Sequence, residues 1–285
     1  MMRWFCLFLL LAGSSSAETF DKKAWQQWRS EKEEKTSDGE RSFLNLQDAA
    51  WVKPRKKVWL SSLDASQDLK FLHSLPDAVG LSIFFDGERA LLSQGATTFN
   101  LLDKKKWMIP GDLRLKAIIY QGDLRVYLRN PKAKKVLAFK RFEFFDFNPI
   151  AVVAGTFKPR RKPKAHVFST STGRDSKAWL LGTVQFQFKG KALSVKAYTF
   201  EDEPETSDYL FLPFLDQTSR SESYGAGRYL DADIKDVSKQ TAVTLDFNRA
   251  YNPLCARSKF YSCPRVPDKP FSVAIRAGEK KPLDH

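Results

Sequence analysis

The stretch LRLKAIIYQGDLRVYLR, residues 113–129, decides the fold class. Leu113, Leu115, Ala117 and Ile119 alternate along its first arm. Leu124, Val126 and Leu128 alternate along the second, across Gln121-Gly122-Asp123. A repeat of two puts these side chains on one face of an antiparallel hairpin; a helix would repeat near 3.6. VQFQFKGKALSVKAY, residues 184–198, repeats the pattern: Val184, Phe186 and Phe188 face Leu193, Val195 and Ala197 across Lys189-Gly190-Lys191. Strict alternation predicts sheets with one buried face.

Outward from these hairpins, short strands are expected at 58–61, 80–85, 89–93, 97–101, 151–157, 209–214, 242–247 and 271–276. Asp86-Gly87 is a hairpin-turn signal. A helical turn is expected at 47–51. Residues 19–35 predict an amphipathic helix, with Thr19 as its cap and Phe20, Ala24, Trp25 and Trp28 near one face. The predicted architecture is mainly β: two packed antiparallel β-domains, sandwich- or barrel-like, with an N-terminal amphipathic helix. The segments are 1–17 signal peptide, 18–41 helix and linker, 42–150 first β-domain and 151–285 second β-domain. Lys158-Pro159-Arg160-Arg161-Lys162-Pro163-Lys164 reads as a domain link or exposed loop.

The N-terminus predicts export. Met1-Met2-Arg3 is a short basic region, residues 4–11 are apolar, and Ser15-Ser16-Ala17 suits cleavage near Ala17. The apolar run is too short for a bilayer anchor, so the expected location is periplasmic or extracellular. The formal charge is +14, carried in clusters around Lys53, Lys104, Lys132 and Arg160. Such clusters read as solvated loops, or alternatively as contacts for an anionic envelope surface. Nucleic acid is not expected, because the basic runs lack interleaved aromatics for base stacking. Cys6 leaves with the leader, and Cys255 and Cys263 remain. In an oxidising compartment they are expected to pair, closing a short loop worth about 2–3 kcal/mol. No metal or other cofactor is expected, since His73, His166 and His285 lack ligand spacing. The sequence sets no oligomeric state.

Two segments concentrate polar chemistry. FLPFLDQTSRSESYGAGRYL, residues 211–230, carries Asp216, Thr218, Tyr224 and Arg228. LDFNRAYNPLCARSKFYSCP, residues 245–264, carries Asp246, Asn248, Arg249, Tyr251 and Asn252. Together with the later AGEK and its Glu279, these motifs resemble the C-terminal signature of the family known as domain of unknown function 1684. The likeness runs over about 25–280 and is sharpest from Phe211 onward. It departs at Leu254, where the family has a second proline. The resemblance implies a mostly β protein of bacterial or archaeal type, and it implies no reaction.

Three roles fit the polar residues. As a clamp, Asp216, Asp246, Glu279, Arg228 and Arg249 pair with one another, because a lone buried charge costs several kcal/mol. As a pocket, Arg228 and Arg249 hold a small anionic ligand bidentately, Tyr224 and Tyr251 wall it, and Asn248 and Asn252 complete it. As a hydrolase of envelope glycan or ester, Asp216 or Asp246 works with Glu279 as an acid/base pair. A serine triad has no support, as no histidine falls in either segment.

Overall fold

The computed structural model describes residues 14–61, 70–74, 81–103, 107–109 and 112–283, the side chains of 14–21 and 108 excepted. The expected leader lies outside these residues apart from 14–17, as do Cys6 and Lys104–Lys106. The side chains of Thr19 and Phe20 also lie outside them. The protein is mainly β, with three antiparallel sheets and an N-terminal helix.

Helix α1 (Ser14–Ser37) is longer than the sequence pattern predicts. Strands β1 (Leu46–Val52), β9 (Asp123–Arg129), β8 (Leu113–Tyr120) and β7 (Trp107–Ile109) form one sheet in that order. Strands β3 (Phe71–Leu72), β2 (Lys56–Leu60), β4 (Leu81–Phe85), β5 (Ala90–Gln94) and β6 (Thr97–Asn100) form the second. The buried faces of both sheets contribute to one core containing Val52, Val58, Ile83, Phe85, Leu92, Leu115, Val126 and Leu128. The β8–β9 hairpin has the expected register, with Leu115 opposite Leu128 and Ala117 opposite Val126. On β8 the buried face ends at Ala117, and Ile119 is exposed. Residues 47–51 form β1 rather than a helical turn: Ala50 pairs with Val126, and Ala50 and Val52 are buried in the core. Burial on alternate positions outweighs the local helical preference of the alanines.

After the short helix α2 (Lys134–Leu137), the chain enters a six-stranded sheet. Its order is β14 (Arg228–Asp233), β13 (Tyr209–Phe214), β12 (Lys191–Thr199), β11 (Asp175–Phe188), β10 (Val152–Ser169), β15 (Thr241–Asp246). The sheet curls into a half-barrel, so that edge strands β14 and β15 come into contact without pairing. Phe157, Val184, Phe186, Leu212, Phe214, Leu245 and Phe247 belong to the core of this curl.

Two expectations are corrected here. The Pro/Arg-rich residues 158–164 are neither link nor loop but part of β10, an 18-residue strand. A register shift between Pro159 and Lys164 absorbs the prolines. Gly182 permits the close approach, since a Cβ there would sit 2.2 Å from the Lys158 carbonyl oxygen. The basic side chains of this segment are exposed, consistent with their charge. Residues 271–276 form no strand. The Phe271 N–H donates to the Leu215 carbonyl, but the Ile275 N–H donates to the Asp216 carboxylate at 2.6 Å, which interrupts a ladder.

Helix α1 docks beside the half-barrel through Trp25, which is 6% exposed. Its ring meets Phe144 edge-on at 6.1 Å, and its Nε1–H donates to the Asn248 carbonyl at 3.0 Å. Among the described residues, no helix is long and apolar enough to cross a membrane.

Candidate functional site

The signature residues fall into three neighbouring groups. The first is a buried brace. Gly227 takes φ +100°, and a Cβ there would sit 2.4 Å from Val266 Cγ2; this tight entry precedes Arg228 at the start of β14. Arg228 is 1% exposed. Its Nη2 donates to Asp216 Oδ2 at 3.4 Å and to the Ile275 carbonyl at 2.9 Å. Its Nη1 donates to the Ala277 carbonyl. The guanidinium also packs over the Phe214 ring at 5.2 Å. Desolvation lowers the Arg228 pKa, and Asp216 opposes that shift. Asp216 is 2% exposed and accepts from Thr218 Oγ1 at 2.7 Å besides the Ile275 N–H and Arg228. A guanidinium among so many acceptors is the physical answer to a charge buried in an apolar curl.

The second group ties the loop after β15. Asp246 Oδ1 accepts from the Asn248 N–H and Nδ2, each at 3.0 Å. Asp246 Oδ2 pairs with Arg249 Nε at 3.3 Å, with Arg249 43% exposed. Asn248 is buried and joins Asn148 through its side chain: Oδ1 accepts from the Asn148 N–H at 2.8 Å and Nδ2 donates to the Asn148 carbonyl at 3.0 Å.

The third group lies under α1. Glu279 is 2% exposed. One of its oxygens accepts from Lys32 Nζ, and the other from the Asn252 N–H at 2.9 Å. Gly278, at φ +79°, lets this turn pass the Ala250 carbonyl, 2.5 Å from where a Cβ would stand. A cleft of about 410 Å3 opens here, lined by Trp28, Lys32, Phe142, Tyr251, Asn252 and Glu279, with Lys35 and Arg257 also on its wall. A second cleft of about 430 Å3 is lined by Asp231, Asp233, Asp246, Arg249, Tyr251 and Trp28. Tyr251 donates its hydroxyl to Asp231 at 2.9 Å.

The predicted site residues therefore do not form one constellation. Asp216 and Arg228 meet, and the Glu279 backbone joins them through a 3.4 Å hydrogen bond from Arg228. Asp246 and Arg249 meet each other beside the second cleft. The carboxylates of Asp216, Asp246 and Glu279 are each engaged in hydrogen bonds to their own chain. Tyr224 stands apart from both clefts and hydrogen-bonds Cys255; burial pushes its phenol up to about 12. Cys255 and Cys263 are free thiols in contact, the Cys255 N–H donating to Cys263 Sγ at 3.2 Å. Their hydrogen bond lowers the Cys255 pKa to about 7 and raises that of Cys263.

Sequence reasoning missed Lys32, Phe142 and Arg125. Lys32 follows Trp25 and Trp28 at helical spacing, which was the available signal. Arg125 is 7% exposed, stacks over Trp51 at 4.8 Å and donates to the Phe260 carbonyl at 2.9 Å. It ties the first sandwich to the cysteine loop, a link no local pattern announces.

A family model described as "Protein of unknown function (DUF1684)" matches residues 137–280. The solution NMR structure of an uncharacterized protein from Haloarcula marismortui is similar at 32% identity, over 52% of this chain and 80% of that one, with a TM-score of 0.44. No curated protein matches the chain. The matched span holds every signature residue from Asp216 to Glu279 and leaves α1 and the first sandwich outside, and on that match the chain belongs to the DUF1684 family.

Proposed function

We propose that this chain is an exported envelope protein whose C-terminal half carries a braced cleft for a small anionic molecule. The carrying observation is the cleft of about 410 Å3 under α1, with signature residues Tyr251, Asn252 and Glu279 on its wall beside Lys35 and Arg257. Aromatic surface and a few convergent polar groups are what a small-molecule site needs. In this reading Asp216 and Arg228 are a clamp: they hold β14 against 275–279 and so fix the wall that bears Glu279. Arg228 is 1% exposed and lines neither cleft, so the anion-binding role passes to Lys35 and Arg257. The leader-like residues 1–17 support export, with a mature chain beginning at Glu18. The exposed basic side chains of 158–164 on β10 favour contact with an anionic envelope surface.

Thermal-shift titration with phosphate, sulfate, dicarboxylates and sugar phosphates tests the cleft. The expected result is saturable stabilisation that Lys35→Glu combined with Arg257→Glu removes. No response across the panel, or an unaltered response in that variant, discards the anion reading. Intact mass of protein expressed from the full sequence tests export: a chain starting at Glu18 outside the cytoplasm is expected, and an uncleaved chain confined to the cytoplasm counts against it.

A further inference from the structure

The same cleft holds a cation of its own. Lys32 Nζ lies 5.4 Å from the Trp28 ring centroid, 4.9 Å from Phe142 and 5.1 Å from Tyr251. It also pairs with the Glu279 carboxylate, whose side chain is 2% exposed against 26% for Lys32. Aromatic faces around a buried carboxylate are the surroundings that bind an organic ammonium, through ring quadrupoles and one full opposite charge. A further acceptor lies beside them. Asn252 is 8% exposed and lines the cleft, and its Oδ1 has no hydrogen-bond partner among the described residues, although its Nδ2 donates to the Lys280 carbonyl at 2.7 Å. An acceptor buried without a donor costs free energy until a donor arrives.

The origin of the parts is uneven. Phe142, Tyr251, Asn252 and Glu279 all lie within the span that matches the family, 137–280, whereas Lys32 and Trp28 come from α1, outside it. The acceptor half belongs to the family portion, and the cation is delivered by α1, which lies outside it.

We propose that Glu279, Asn252, Phe142 and Tyr251 form a receptor for the ammonium group of a small organic amine, and that Lys32 occupies this receptor as an internal ligand. The inference rests on reading the cleft as a ligand site and names the ligand more closely. Lys35 and Arg257 take an anionic group, the Glu279 floor takes an ammonium, and the occupant is a zwitterionic aminoalkyl compound. Binding displaces Lys32 and loosens α1 from the cleft. Glu279 is then never left unpaired, which a charge in so dry a position requires.

The test is chemical rescue in the full mature chain. Lys32→Met keeps the apolar stem and removes the terminal ammonium, so its melting temperature falls below that of the wild type. n-Butylammonium, a cation alone, raises it again saturably by roughly 3 °C, and sodium at matched ionic strength does not. Lys32→Met combined with Glu279→Gln loses the response. 6-Aminohexanoate, with both charges, saturates at a concentration several-fold lower than n-butylammonium. If butylammonium fails to rescue, Lys32 is a structural pin and the ammonium receptor is overturned, even where phosphate still stabilises the protein and the anion reading stands. If butylammonium rescues and every anion is silent, the receptor stands and the anion reading falls. Should Lys32→Met not fold, hydrogen exchange of the wild type decides. Butylammonium is expected to speed exchange across residues 22–37 relative to sodium, and equal exchange overturns the proposal.

Discussion

Asp216–Arg228 and Asp246–Arg249 look alike as sequence: an acid and an arginine within one polar segment each. In the fold they are opposites. Arg228 is 1% exposed and reaches Asp216 and the carbonyls of Ile275, Ala277 and Glu279. Arg249 is 43% exposed and, among the described residues, meets a single carboxylate on the rim of a cleft. Burial, not residue type, decides which pair matters: solvent screens the outer pair and relaxes around it, whereas nothing replaces the inner one.

The comparison is broken or sharpened first at Arg228. Arg228→Met leaves Asp216 buried without its guanidinium, and a loss of about 3–5 kcal/mol in urea unfolding is expected. Arg228→Met with Asp216→Leu recovers part of it, since no lone charge remains. A single variant as stable as wild type would put the two pairs on one footing. Gly227→Ala comes next. It forces a Cβ at φ +100° to within 2.8 Å of the Phe214 carbonyl oxygen, just before Arg228, and a loss exceeding about 1 kcal/mol is expected from thermal melts. Arg249→Ala costs about 0–1 kcal/mol in the same measurement; a loss as large as that of Arg228→Met would erase the contrast.

The smallest effect lies at the cysteines, which fasten the loop bearing the outer pair's neighbours. In reduced protein, alkylation of Cys255 by iodoacetamide is expected to rise through pH about 7. Tyr224→Phe moves that midpoint upward, because the Tyr224 hydroxyl helps hold the thiolate. The linkage has a definite sign. The folded pKa of about 7 lies below the ordinary 9.0, so the native state sheds a proton that the unfolded chain keeps. Reduced protein therefore gains stability as pH rises from about 7 towards 9 and loses that gain as pH falls through 7. Oxidation of the pair abolishes the effect, and mass spectrometry of the isolated protein shows whether free thiols are present.

The β-hairpins were legible because alternation is local: Leu113 to Leu128 and Val184 to Ala197 carry their register in the chain itself. Residues 47–51 were not, because β1 exists only through its pairing with β9, more than seventy residues on. Residues 158–164 hid a strand behind prolines and charges, since a register shift and a glycine on the neighbouring strand make room for them. The site divided the same way. Motif chemistry singled out Arg228, Asn252 and Glu279. It could not tell an arginine sealed inside the curl from one on a rim, since that depends on which carbonyls the segment 275–279 brings to β14.

Tyr251 and Trp28 line both clefts, so the two cavities share a partition. A molecule that tilts the tyrosine ring while entering on the Glu279 side would also pull its hydroxyl from Asp231 on the other. The two chambers thus meet at one tyrosine, and a ligand that moved it in one would alter the wall and the charge offered by the other.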